Sequence, residues 1–136
     1  MSRWAIGYAA AALAFFILDG VWLSTAAAML YRPALGGLLS QRVQPLPALA
    51  FYLIYVAGIL GLAVAPALLL ANPLAPVAFG AGLGFVAYAT YDLTNLATLA
   101  GWPARIALLD MGWGTFATAM AALAGALAMT HLVPAG

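Results

Sequence analysis

The fold is decided by residues 43–91, VQPLPALAFYLIYVAGILGLAVAPALLLANPLAPVAFGAGLGFVAYATY, 49 residues between Arg42 and Asp92 without one charge. A bilayer span takes about 20 mainly apolar residues, so this stretch holds two. Ala71-Asn72-Pro73-Leu74-Ala75-Pro76 in its middle is a turn by composition and divides them.

Working outward, 15 uncharged residues separate Arg3 from Asp19, and 26 follow Asp110. Gly101-Trp102-Pro103 divides the last pair of spans, with Pro103 suited to the first turn of a helix. The reading is all-α: a polytopic membrane protein and four-transmembrane-helix bundle in one domain, with helices at 4–30, 47–70, 75–99 and 103–131. An open sheet is excluded because lipid leaves its edges unsatisfied. Pro66 predicts a kink in the second helix. In the loop from Tyr31 to Pro47, Arg32-Pro33, Gly36-Gly37 and Pro45-Leu46-Pro47 argue against continuous helix. A cleaved signal peptide ending near Ala26-Ala27-Ala28 is the rival for helix one, but Asp19 and Trp22 sit badly in such a run.

Composition agrees. The 136 residues are 68% hydrophobic and 5% charged, where a soluble domain carries about 25% charged. The net charge of +1 gives no footprint for nucleic acid. Without cysteine, and with His131 alone, zinc sites and Ser-His-Asp triads are excluded. The 34 alanines, with Gly80, Gly84, Gly112 and Gly125, allow helices to approach closely. Gly80-x-x-x-Gly84 suits either a homodimer face or packing within the chain.

All three acids fall inside spans: Asp19 in helix one, Asp92 in helix three, Asp110 in helix four. A carboxyl group at that depth costs at least ~2.5 kcal/mol, so it faces an interior and finds partners. Asp92 and Asp110 stand nine residues either side of Gly101, about 13 Å from that turn at 1.5 Å per residue. Helix one, ending near Leu30, puts Asp19 roughly 16 Å deep, so the three share one layer. Tyr52 and Tyr55 reach the same layer from helix two. Tyr88, Asp92 and Asn95 form one stripe on helix three. Arg105, near Asp110, is placed to pair with Asp92 or Asp110. Trp22 and Trp113 lie too deep for an interfacial belt and are left for packing or ligand contact. Asp19-Gly-Val-Trp22 and Asp110-Met-Gly-Trp113 share an Asp-x-x-Trp spacing.

The candidate ligand or proton site is therefore Asp19, Asp92, Asn95, Asp110, Tyr52, Tyr55, Tyr88, Trp22, Trp113 and Arg105. No metal is assigned; Asp19, Asp92 and Asp110 are the ligand set if one binds. The sequence names no cofactor and no catalytic residue. The first functional reading is a polar cavity that binds or moves a small ligand, a lipid headgroup or protons. An enzyme acting on a lipid or isoprenoid is the second, and an accessory subunit of a larger membrane complex the third.

Phe16-Ile-Leu-Asp-Gly-Val-Trp-Leu23, Ala50-Phe-Tyr-Leu-Ile-Tyr55, Val86-Ala-Tyr-Ala-Thr-Tyr-Asp-Leu-Thr-Asn-Leu-Ala-Thr98, Gly101-Trp-Pro-Ala-Arg105 and Asp110-Met-Gly-Trp-Gly114 together resemble a family of small bacterial four-helix membrane proteins, domain of unknown function 2177. The resemblance covers nearly the whole chain. It implies a bacterial inner-membrane location and a four-helix fold, and it supplies no reaction.

Arg32, Arg42 and Arg105 fall on one membrane face and Arg3 alone on the other. By the positive-inside rule the first loop is cytoplasmic and both termini are external. Reporter fusions in residues 36–40 should read cytoplasmic and fusions at the C-terminus external; the opposite pattern would move the acids to the outer half.

Overall fold

The structure, a computed structural model, describes residues 2–39 and 42–132. Among them there is helix and no strand. Four helices run α1 (Arg3–Leu38), α2 (Pro45–Ala67), α3 (Ala75–Thr98) and α4 (Ala104–His131). Three of these, α1, α2 and α4, are long and apolar enough to cross a membrane. α3 has the length, but Tyr88, Thr90, Tyr91, Asp92, Thr94 and Asn95 lower its apolarity. Large apolar side chains lie outward, among them Phe16, Ile17, Ile54, Leu62, Val86 and Leu108. An exterior of this kind is at home in lipid and not in water.

α4 is the hub. It packs along α1 and α3, and touches α2 at Ile59–Val64. Apart from Ile106, Met111 and Met129 its buried positions are small, among them Ala107, Gly114, Ala117, Thr118, Ala121, Ala122, Gly125 and Ala126. Gly80 and Gly84 of α3 lie against this seam. A methyl group at Gly80 would stand 2.8 Å from Ala122 Cβ, and one at Gly84 would meet Gly114 O and, at 2.7 Å, Thr118. A methyl at Gly114 would collide with the Tyr88 ring. The small-residue spacing on α3 thus serves packing within the chain. On the other side, Gly125 admits Gly7 O and Ala11 at 3.2 and 3.3 Å from its would-be Cβ. Van der Waals packing of this closeness is the main attraction available between helices in lipid.

The first helix corrects the sequence reading. It does not end near Leu30 but runs through Arg32-Pro33 to Leu38, so the first connection is short. The cause lies just upstream. Leu23–Tyr31 is a π-helix, with backbone bonds skipping five residues instead of four. Proline lacks the N–H that an α-helix would use, and Pro33 sits in the first turn after this widened stretch, where none is needed. At Gly36, with φ of 46°, the α-helix gives way to a closing 3₁₀ turn, Gly36–Leu38.

The same device carries Pro66. Ile59–Val64 is a second π stretch, and Pro66 lies in the first turn of the α segment after it. α2 begins at Pro45, its prolines occupying the first turn, and ends at Ala67, three residues earlier than its apolarity suggests. The α2–α3 turn is closed by Asn72, whose side-chain Oδ1 accepts from Leu74 N at 2.9 Å and whose backbone O accepts from Ala75 N at 3.1 Å. In the α3–α4 connection Gly101 adopts φ of 78°, and Pro103 immediately precedes α4.

The seam makes a prediction. Gly84→Ala and Gly114→Ala should each cost about 1–3 kcal/mol through overpacking. Gly82→Ala and Gly112→Ala, where nothing lies within 4 Å, should stay within about 0.5 kcal/mol of the parent. Unfolding in mixed micelles measures both; equal costs at all four positions would remove the seam.

Candidate functional site

Between Gly80 and Asp92, one stripe of α3 faces α4: Gly80, Gly84, Tyr88 and Asp92, four residues apart. The facing stripe of α4 is Ala122, Thr118, Gly114 and Asp110. Fixing the glycines therefore fixes the acids at the end of the seam. Asp92 is fully buried and its carboxyl lies close to that of Asp110. Neither oxygen of Asp92 has a hydrogen-bond partner among the described residues.

The other two acids are tied to tyrosines. Tyr52 Oη donates to Asp19 Oδ2 in a short hydrogen bond. Tyr31 Oη donates to Asp110 Oδ1 at 2.7 Å and itself accepts from Trp22 Nε1 at 3.1 Å. Trp22 also stacks on Trp113, with ring centroids 4.6 Å apart and planes 5° from parallel. The two Asp-x-x-Trp turns, on α1 and α4, are thus locked by their tryptophans.

That stack sets the depths. α1 and α4 run antiparallel with Trp22 level with Trp113, so Asp19 and Asp110 lie three residues to opposite sides of it. Six residues amount to about 9 Å along the helix axes. The single layer expected from the sequence is corrected: Asp92 and Asp110 pair near one end, and Asp19 lies deeper, on Tyr52. The earlier depth was counted from Leu30, where α1 does not end. Among the described residues no three His, Cys, Asp or Glu side chains are grouped to hold a metal ion.

Tyr55 does not reach a carboxyl group; its hydroxyl bonds Thr118 Oγ1 at 2.8 Å. Thr118 is fully buried, and the sequence analysis did not single it out. Tyr88 packs its ring on Gly114, within electrostatic reach of Asp19, Asp110 and Tyr55. Asn95 is half-buried and lies beside Tyr91, one turn past Asp92. Arg105 is exposed and forms no ion pair with Asp92 or Asp110. It precedes Asp110 by five residues, which in an α-helix is about 140° around the axis, so the two point to different faces. Trp113 Nε1 is buried without a partner among the described residues.

Tyr31 is the residue sequence reasoning missed. In an α-helix, nine residues from Trp22 place it on the opposite face, about 180° away. With about 4.4 residues per turn in the widened helix the same nine residues make two turns, so Tyr31 returns beneath Trp22. The available signal was Pro33, whose position in a long apolar helix demands some local unwinding.

Beside Asp110, a cleft of about 360 Å³ opens between α2 and α3, lined by Phe51, Tyr55, Ala87, Tyr88, Tyr91 and Asp110. It exists because Pro45–Gly58 packs on α1 and reaches α3 through Tyr55, while the close packing of α2 on α3 begins at Ile59. Around it the rings of Phe51 and Tyr55 stack at 5.3 Å, and Tyr88 meets Tyr55 edge-on at 6.3 Å.

An all-helical chain with an apolar exterior, three helices fit to cross a bilayer and acids turned inward defines an integral membrane protein. The particular family is the one described as a predicted membrane protein, DUF2177, which matches residues 4–127, and the chain belongs to it. No curated protein and no solved structure gives a match.

Double-mutant cycles test the wiring. Tyr31→Phe with Asp110→Asn, and Tyr52→Phe with Asp19→Asn, should each show a coupling of about 0.6 kcal/mol, up to ~1.7. Tyr31→Phe with Tyr52→Phe should add to within ~0.5 kcal/mol, since they share no bond. Unfolding in micelles reads all three, and zero coupling in the first cycle would break the α1–α4 tie.

Proposed function

We propose that the chain crosses the bacterial inner membrane four times, both termini outside. We also propose that it binds a small ligand or a lipid headgroup at Asp92 and Asp110 in the cytoplasmic half. Asp92 carries the reading. A carboxyl group that only joins helices has its partner built in, as Asp19 has Tyr52 and Asp110 has Tyr31. Asp92 is more deeply enclosed than either, and the group it faces is a second acid, Asp110, which satisfies it only by sharing a proton. Leaving such a group unsatisfied costs about 1–3 kcal/mol, and more if it is charged, which argues for a partner brought from outside the chain. Orphaned buried polar groups in folded proteins are rare enough that each calls for an explanation of this kind.

The surroundings support a bound molecule over an ordinary packing defect. The cleft beside Asp110 has the size of a small-ligand site and the usual composition, apolar and aromatic walls with few polar groups. It opens sideways, toward where the acyl chains lie in a four-span arrangement. Asp110 forms part of its wall and Asp92 lies behind, so a headgroup on Asp110 completes the environment of both.

Native mass spectrometry of the purified protein is the test. The parent should retain a lipid or small molecule that Asp92→Asn and Asp110→Asn lose, while Asp19→Asn, deeper and tyrosine-bound, keeps most of it. Retention unchanged in the first two variants would overturn the reading.

A further inference from the structure

Resting on that ligand site, we infer that its occupant is a cationic amphiphile, an ammonium group on an apolar chain, entering from the bilayer between α2 and α3. The first argument is charge. Asp19 and Asp110 accept from neutral hydroxyl groups, and Asp92 faces the Asp110 carboxyl, so two acids meet at the site. Arg105, the one arginine near in sequence, is exposed on another face of α4. A phosphate or carboxylate headgroup would meet acids of its own sign. An ammonium group would meet an acceptor at Asp110, against which the buried Asp92 carboxyl lies. Two carboxyl groups so close in a dry place cannot both be charged without a cation between them or beside them.

The second argument is the wall. Tyr55, Tyr88, Tyr91 and Phe51 surround the approach to Asp110 with ring faces and edges. Aromatic rings around a carboxylate recognise ammonium groups through the negative faces of their π systems, the more strongly where water is excluded. Neutral headgroups gain nothing comparable from either feature.

The third argument is the route. The first half of α2 leans on α1 and leaves α3 uncovered beside Ala87 and Tyr91, so the cleft is open along its side. Its volume of about 360 Å³ takes a headgroup and the start of a chain, with the remainder of the chain left among lipids. A small hydrated cation would have no use for so apolar an approach.

The test uses the full chain in dodecyl maltoside micelles, with dodecylamine, dodecanol and dodecyl phosphate as probes of equal chain length. Binding is read by tryptophan fluorescence and by the unfolding midpoint. Dodecylamine should bind saturably and at least about tenfold tighter than dodecanol, the least expected of a charge-assisted hydrogen bond, and dodecyl phosphate more weakly still. Asp92→Asn and Asp110→Asn should each remove the tenfold preference. Ala87→Phe, which fills the cleft and touches no acid, should remove binding of amine and alcohol alike, and it keeps the test valid if an acid variant fails to fold. Equal affinity for amine and alcohol, tighter binding of the phosphate, or an amine preference unchanged in all three variants would overturn the inference. If that happens while Asp92→Asn still strips the co-purifying ligand, the site stands and only its charge preference is wrong. If neither effect depends on Asp92, the site itself is wrong.

Discussion

Lipid tails are as apolar as leucine, so burying leucine against leucine gains these helices little, and close packing and polar bonds must hold them together. α4 meets that constraint with an almost unbroken series of Ala, Gly and Thr on its inner faces. α3 comes down on it at Gly80 and Gly84, and α1 at Gly7 and Ala11. Because this packing is set by backbone approach, with few long side chains to adjust, it fixes rotation as well as distance. A helix turned by one residue would bring a Cβ where none fits. The polar bonds then form at positions the packing has already chosen.

Much of this was legible. Seven charges in 136 residues mark the spans, and the Gly-x-x-x-Gly spacing marks a close approach. The inward turn of the acids follows from the cost of exposing them to lipid. What failed was the arithmetic of α1. Counting residues at a fixed rise assumes a fixed helix, and Leu23–Tyr31 is not an α-helix. The same widening that lets Pro33 pass lengthens α1, shifts the inferred depth of Asp19 and brings Tyr31 beneath Trp22. One local departure from regular geometry thus accounts for an extended helix, a misplaced layer and a missed residue. Pairwise spacing found the Asp92–Tyr88 stripe correctly because α3 is α-helical throughout. The partner helix extends that stripe back to Gly84.

The Asp-x-x-Trp spacing shared by α1 and α4 also gains meaning only in three dimensions. Antiparallel helices bring the two tryptophans face to face, and an acid then lies on each side of the stack, separated along the axis. A parallel arrangement would have put the acids together. The stack therefore holds α1 to α4 and at the same time keeps Asp19 apart from Asp110. Each acid is left to a different tyrosine, Tyr52 from α2 and Tyr31 from α1 itself.

Asp92 stands outside this arrangement for a reason the seam supplies. Its place on α3 is two turns beyond Gly84 and one beyond Tyr88, so the glycine contacts that bind α3 to α4 also direct it at Asp110. No rotation of α3 could offer it a different neighbour without breaking the Gly84–Gly114 approach. The helix that could cover it, α2, is drawn toward α1 in its first half by Phe15, whose ring lies 6.4, 6.0 and 5.2 Å from Phe51, Tyr52 and Tyr55. The packing that satisfies Asp19 thereby leaves Asp110 in the wall of an open cleft, with Asp92 buried against it. A fold meant only to bury its acids had a simpler course, since a Tyr or Asn on α2 facing Asp92 would close the site. Instead the chain places Tyr55, Tyr88 and Tyr91 on the walls of an open cleft.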